Sequence, residues 1–400
     1  MRRIQHDQRQ PFRRTQSERA PHSFLLMRGF VFLLSTVVFQ AAGQTAKQPP
    51  GTDANDLLRA GRAAEQHGDH AAAIQDFREA LAIRPGFAPA HAALGAALAA
   101  AGQLDAAIEE DQQALAAHAD EHAVRMNLAR VYYQMGDLTH AREQAESVHQ
   151  AAPQDIPAVL LLSSIYVKLG READVVALLT PLEPSHESNS EFEYLLAFSL
   201  IQTGRITEGV SRMEKVAQAT HSANAYVIAG AALLHKGDMA AAESDLVAAW
   251  RLDGSIPGLA TMLGQAESAQ HDTAAATRAF QAALRENPRD FDANVGLGVI
   301  YLGNKDYKDA QPLLELALEL VPQSPLARMQ MARLDEGIGK NAEAATYLEA
   351  LVKDEPNWIH AHWELANVYF SLDRLVEGKR ERAIAQDLEM RRREQQPEVK

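Results

Sequence analysis

The chain has 400 residues, 46% of them hydrophobic and 23% charged, with a formal net charge of −14. It carries enough apolar residues to bury a large surface, and its acidity leaves no electrostatic means of holding a phosphate backbone or an anionic lipid. Cysteine is absent, which excludes disulfides, thiolate metal sites, cysteine nucleophiles and a lipid-modified N-terminal cysteine.

The first 43 residues form a separate piece. Residues 1–22 are polar and basic, and FLLMRGFVFLLSTVVFQAAG then runs from Phe24 to Gly43, interrupted by Arg28. The apolar core from Gly29 to Phe39 is short for a bilayer span and suits the central region of a secretory signal, with Ala41 and Gly43 as small residues ahead of a cut before Gln44. Met27 is an alternative start. The rival reading is an uncleaved anchor, because Phe24–Met27 lengthens the apolar stretch. The arginine pairs at 2–3 and 13–14 lack the hydrophobic pair that a twin-arginine signal carries directly after them. Seven arginines and two acids in this leader leave about −19 on the remainder. A polar linker over 44–53 follows.

From there the chain repeats itself. Gly68, Gly102, Gly136, Gly170 and Gly204 are spaced 34 residues apart, and Gly237 follows after 33. The polar turns at His271, Lys305, Gly339 and Asp373 continue the series at 34. No stretch alternates like an exposed strand, and runs such as HAALGAALAAAG (91–102) favour helix. A fixed period of this length marks a solenoid of paired antiparallel helices.

The residues around each turn resemble the tetratricopeptide repeat. A leucine followed by a small residue recurs at Leu94-Gly95, Leu128-Ala129, Leu263-Gly264, Leu297-Gly298 and Leu365-Ala366, with an aromatic on the same helix at Tyr132, Tyr166, Tyr301 and Tyr369. The second helix of a unit carries Ala73, Ala107, Ala141, Ala242, Ala276, Ala310 or Ala344, and a further alanine at 80, 114, 249, 283 or 317. Proline closes units at Pro85, Pro153, Pro288, Pro322 and Pro356. The resemblance implies an all-α, right-handed α-solenoid of about ten units, near 54–87, 88–121, 122–155, 156–189, 190–222, 223–256, 257–290, 291–324, 325–358 and 359–392, ahead of a charged tail over 393–400. Val175, Gly209 and Met213 depart from the pattern, and TPLEPSHESNS (180–190) is irregular. These departures predict a distortion between about 180 and 215. Gly378 and Arg382 at core-type places, before KRERAIAQDLEMRRREQQ, suit a terminal solvating helix.

No catalytic constellation stands out. His118 and His122 in HADEH would share a helix face, but they fall where two units meet and lack a third ligand nearby. HGDH (67–70) reads as turn chemistry, and His360 and His362 point to different sides of a helix. The chain therefore reads as a non-enzyme without cofactor or metal.

By the resemblance, the residues flanking the leucine–small pair and those one turn away face a concave groove. These are Arg59, Arg62, Asn127, Arg130 and Tyr133 towards the N-terminus. In the middle they are Leu160, Leu161, Tyr194, Phe198, Ile201, Val227 and Leu234, and Arg333, Trp363, Asn367 and Phe370 follow near the C-terminus. Each position is compatible with packing as well as with contact. The two-lysine, two-asparagine carboxylate clamp of some relatives is not reproduced. The resulting expectation is an exported scaffold of a bacterial-type envelope, periplasmic or secreted, that holds a protein or peptide. Anchored by 24–43, it would instead be an accessory subunit of an envelope enzyme or secretion complex, touching the membrane only there.

Overall fold

The computed structural model describes residues 53–186 and 188–395. The leader, the linker as far as Thr52 and the last five residues of the tail lie outside the described residues. Among the described residues there are twenty α-helices and no strand.

The helices run as hairpins. They are α1 (Ala54–Gln66) with α2 (His70–Ile83), α3 (Ala88–Ala100) with α4 (Leu104–Ala116), and α5 (Glu121–Met135) with α6 (Leu138–Ala151). Next come α7 (Ile156–Lys168) with α8 (Glu172–Leu179), α9 (Ser190–Gln202) with α10 (Ile206–Thr220), and α11 (Ala223–Lys236) with α12 (Met239–Leu252). The array ends in α13 (Leu259–Ala269) with α14 (Thr273–Glu286), α15 (Phe291–Gly303) with α16 (Tyr307–Leu320), α17 (Pro325–Gly337) with α18 (Asn341–Asp354), and α19 (Ile359–Ser371) with α20 (Leu375–Gln395).

Every turn that set the period has a left-handed backbone. The φ angles are +75° at Gly68 and Gly102, +87° at Gly237 and +82° at Gly339, and the non-glycines His271, Lys305 and Asp373 sit at +65°, +65° and +58°. A single left-handed residue ends one helix and re-aims the chain, which glycine does without strain. The aspartate just after it often starts the next helix. Asp69, Asp137, Asp238 and Asp272 each accept a hydrogen bond from the backbone N–H three residues on.

The alanine pattern records where two helices approach most closely. Ala73, Ala107, Ala141, Ala242, Ala276, Ala310 and Ala344 are completely buried, as is Val175, the departure from the pattern. Four residues on, most even helices drive a larger side chain into their partner: Phe77, Leu179, Met213, Leu246, Phe280, Leu314 and Leu348 are all at most 2% exposed, whereas α6 has the buried Ala145 there. At Gly209 the close neighbour is backbone. A Cβ there would lie 2.7 Å from the carbonyl oxygen of Ala197 and 2.8 Å from the backbone nitrogen of Ile201.

The expected distortion is therefore narrower than 180–215. It is confined to the connection after α8, which stops after eight residues and continues as a 3-10 helix over Thr180–Ser185. Pro181 and Pro184 explain this, because proline cannot donate the next α-helical bond. Beyond it, α9 and α10 are regular, since Gly209 and Met213 preserve the close approach that alanine and an aromatic supply elsewhere. At the far end Gly378 lies under the Phe370 ring, Ala385 is buried, and most of the rest of α20 is charged and at least partly exposed, as a solvating helix requires.

Besides the terminal α20, whose exposed Arg382 stands at this position, one even helix breaks the apolar rule. Asp111 of α4 occupies the place of Phe77 or Phe280, is fully buried, and packs against Gly95. Its Oδ2 accepts a 2.6 Å bond from the Asn127 side chain, while Oδ1 has no protein partner. Burial raises its pKa to about 7, the Asn127 bond opposing and the Glu110 charge assisting. Asp245 of α12 is likewise raised to about 7 by burial and by the charge of Glu214.

Two expected outcomes follow from this packing. Ala276→Leu should lower stability by about 1–3 kcal/mol through overpacking, whereas Ala274→Leu, at an exposed position, should change little; thermal melts of both decide. The second concerns pH. A folded carboxyl raised above its ordinary 3.8 keeps a proton that the unfolded chain has released, so stability declines as pH rises from about 4 through about 7. Asp111→Asn removes the buried charge. It should stabilise the protein by on the order of 2 kcal/mol at pH 8, with the gain shrinking towards pH 5, as read by denaturant titrations at both values.

Candidate partner-binding face

The helices are not equivalent in their neighbours. Each odd helix from α1 to α15 packs on the next odd helix, and no two successive even helices make comparable contact among the described residues. Elements on the inside of a curve are the ones that crowd together, so the odd helices line the inner face.

The structure places the sequence-derived groove residues in different settings. Arg59, Arg62 and Arg130 are exposed, with Arg59 paired to Asp56 in its own helix. Asn127 turns away from the face to bind Asp111, so it is a packing residue. Tyr133 is half-buried beneath Lys168, whose Nζ lies 3.9 Å from the ring centroid. Burial, with a smaller contribution from the charge of Glu191, raises its hydroxyl pKa. This brings side chains of α5, α7 and α9 together across three units.

In the middle, Tyr194 and Phe198 stack along α9 with ring centroids 6.5 Å apart and planes 9° from parallel. Ile201 and Leu234 are also partly buried and pack with them on the cluster of α9 to α12. Burial raises the Tyr194 hydroxyl pKa. Leu160 and Val227 are corrections to the projection. They are only 8% and 2% exposed, because their helix positions point between neighbouring units. Leu161 packs towards α5 and α6.

Near the C-terminus the projected groove is covered. Arg333 is held by Glu364 at 2.9 Å and by His360. Trp363 donates its indole N–H to Glu389 at 3.3 Å. The Arg382 guanidinium lies 4.8 Å from the Phe370 ring centroid and 5.8 Å from that of Trp363. These two aromatics are therefore packing surface for α20, a correction the sequence pattern missed because the last helix runs 21 residues. Asn367 remains exposed.

A polar cleft of about 730 Å³ was not foreseen. It opens where the 3-10 connection meets α9 and α10, and its lining includes Glu183, Ser190, Glu193, Glu208, Arg212 and Lys215. Arg212 binds Glu183 at 2.5 Å and Glu193 at 3.1 Å, with Glu208 at 3.7 Å. Burial works against its charge, but the bonds to Glu183 and Glu193 outweigh this and its pKa is raised. The irregular run 180–190 was the only signal for it in the sequence.

The histidine clusters disperse. His118 takes a left-handed turn conformation, and His122 pairs with Asp155 at 2.8 Å. Among the described residues no three His, Asp or Glu side chains are placed to hold a metal, and no helix is long and apolar enough to cross a membrane.

Comparison with known proteins agrees with this geometry. A tetratricopeptide repeat family model matches residues 92–156 and 261–325, and a second such model matches 64–110 and 301–368. Superkiller complex protein 3 of Homo sapiens is 32% identical over 95 residues, which cover 24% of this chain and 6% of that protein. Cellulose synthase operon protein C of Pseudomonas fluorescens (strain SBW25) is 24% identical over 339 residues, covering 62% of this chain and 26% of that protein. The chain thus spans about a quarter or less of either relative. Among solved structures, a tetratricopeptide repeat protein from Parabacteroides merdae ATCC 43184 has a TM-score of 0.45 at 16% identity, covering 66% of this chain and 98% of that one. With its period, its left-handed turns and its close-packed alanines, the chain belongs to the tetratricopeptide repeat family.

Proposed function

We propose that the protein is a non-enzymatic scaffold of a bacterial cell envelope that holds a protein segment on its inner face. The observation that carries this reading is the pair of stacked, incompletely buried rings of Tyr194 and Phe198 at the middle of that face, flanked by Ile201 and Leu234. Aromatic and aliphatic side chains that share one face and keep part of their surface in water are suited to anchor a partner, because burying the remainder on binding is favourable. The exposed Arg62 and Arg130 lie on the same odd-helix series and would add charge contacts that salt screens. Export is supported by the apolar stretch over 24–43 with small residues before Gln44.

Two measurements test the two halves of the proposal. For export, N-terminal sequencing of the protein from its native envelope should begin at Gln44. A retained leader would replace the exported form with the anchored accessory subunit. For binding, the chain from Gln44 onward is used to capture partners from envelope extracts, and a partner identified by peptide sequencing is then titrated directly. Tyr194→Ala with Phe198→Ala should weaken that binding by about 2 kcal/mol or more while circular dichroism keeps most of the helix signal. Unchanged affinity in a folded double variant would remove these rings from the site and turn attention to Arg62 and Arg130.

A further inference from the structure

His91 of α3, Asn294 of α15, Arg328 of α17 and His362 of α19 occupy the same place in their units, three residues before Leu94, Leu297, Met331 and Leu365. Each reaches back six residues to the carbonyl of the proline that closes the preceding unit. His91 Nε2 lies 2.8 Å from the Pro85 oxygen and His362 Nε2 3.0 Å from that of Pro356. Asn294 Nδ2 donates to Pro288 at 3.0 Å, and Arg328 Nε to Pro322 at 3.1 Å. The bond fastens the connection between two units to the first helix of the second.

Three of the four make another hold on an acid. His91 Nδ1 is 2.6 Å from Glu110 of α4, and His362 Nδ1 is 2.6 Å from Glu381 of α20, both nineteen residues on. Arg328 reaches Asp354 at 2.7 Å. An amide carbonyl and an ionised carboxylate can only accept. Both bonds of such a residue therefore require two N–H groups. Arginine always has them, but imidazole has them only when charged. Moving the hydrogen onto the glutamate changes nothing in the count, since the triad then still holds one proton more than a neutral ring beside an ionised acid.

We propose that His91 and His362 are proton-operated latches at the two ends of the solenoid. Charged, each ring ties the connection before its unit to both helices of that unit. Neutral, it keeps one hold and releases the other. The units latched by Asn294 and Arg328 have amide and guanidinium donors that do not titrate in this range, so they keep their holds at any ordinary pH. Because the latched state binds the extra proton, its stability is present at lower pH and is lost as pH rises.

The surroundings of the two rings differ. Around His91 the charged groups are Glu110 and Asp111 on α4 and Arg84 in the α2–α3 connection. Asp111 changes charge as well, with the same sign on stability. Around His362 they are Glu381 and Arg382 on α20 and Glu355 in the α18–α19 connection, with Asp354 engaged by Arg328. His362 is 4% exposed, so little water is at hand to replace a lost bond, and its end of the array gives the cleaner reading.

The test uses the full chain at pH 6 and pH 8.5. Nitrogen-15 spectra of labelled histidine should show both ring nitrogens of His362 protonated at pH 6 and one at pH 8.5. Hydrogen exchange over 355–359, corrected for intrinsic rate, should lose about tenfold protection at pH 8.5, the equivalent of one hydrogen bond, while 321–325 beside Arg328 changes little. His362→Arg should abolish the difference at 355–359. A single N–H on the ring beside an ionised Glu381 at pH 6, the carboxyl read by carbon-13, would overturn the proposal, and so would equal loss at 321–325 or a pH response that persists in His362→Arg. The spectra need no substitution, so they decide even where the variant folds poorly.

Discussion

The two helices of each hairpin approach so closely that a single small residue on the even helix sets the distance between them. Ala276 is fully buried at that contact, and at Gly209 even a methyl group would run into the backbone of α9. Everything periodic in the molecule depends on this approach. It lets the side chain four residues on, Phe280 or Met213, reach across and fill the space between helices. It also fixes how far the next hairpin must travel to meet the last, which is why the turns recur at so constant a spacing. Where the small residue becomes the fully buried Val175, the helix it sits on is the shortest of the twenty and gives way to a proline-broken connection. The structure shows both facts side by side, and the prolines account for the break by themselves.

From that approach follows the division of labour between the two sets of helices. Even helices present the alanines and the large side chains that bind a hairpin together, and odd helices stack on one another along the inner face. An inner face built from ten similar segments is long and varied, and its chemistry can change from unit to unit without disturbing the core. The charged N-terminal stretch around Arg62 and Arg130 and the aromatic middle around Tyr194 and Phe198 are two such local compositions.

The architecture was legible in the sequence because it rests on residue type. Glycine or another tolerated residue at each left-handed turn, alanine at most close contacts and proline at five of the unit ends are visible one position at a time. The inner face was only partly legible. A helix position shows which side it lies on and leaves open how deep it sits, so Leu160 and Val227 were projected onto the groove and are instead buried between units. Asn127 was misassigned for a different reason. Its partner Asp111 stands at a position that elsewhere is apolar, and no local pattern announces that the two will meet. Trp363 and Phe370 were misread because the length of α20, which covers them, is a property of the chain end and not of the repeat. The polar cleft around Arg212 depends on acids from three segments, Glu183, Glu193 and Glu208, which only the fold assembles.

In a solenoid each unit touches only its neighbours, so a local cost stays local. The buried carboxyl of Asp111 weakens the hairpin of α3 and α4 and the unit against it, but it has no means of loosening the units beyond. The same argument applies to the proline carbonyl latches, each of which joins one connection to one following unit. Stability in this chain is therefore distributed along its length and not pooled in a single core, and the two buried carboxyls raised to about 7 lie in unit two, at Asp111, and in unit six, at Asp245. The stacked rings of Tyr194 and Phe198 belong to unit five, on α9. Neither of the two raised carboxyls belongs to that hairpin, and the nearer, Asp245, feels it through the charge of Glu214 on α10. Leu234, which packs with the rings, stands on α11 of the Asp245 hairpin, so a charge forming on Asp245 arises beside them while one forming on Asp111 arises three units away.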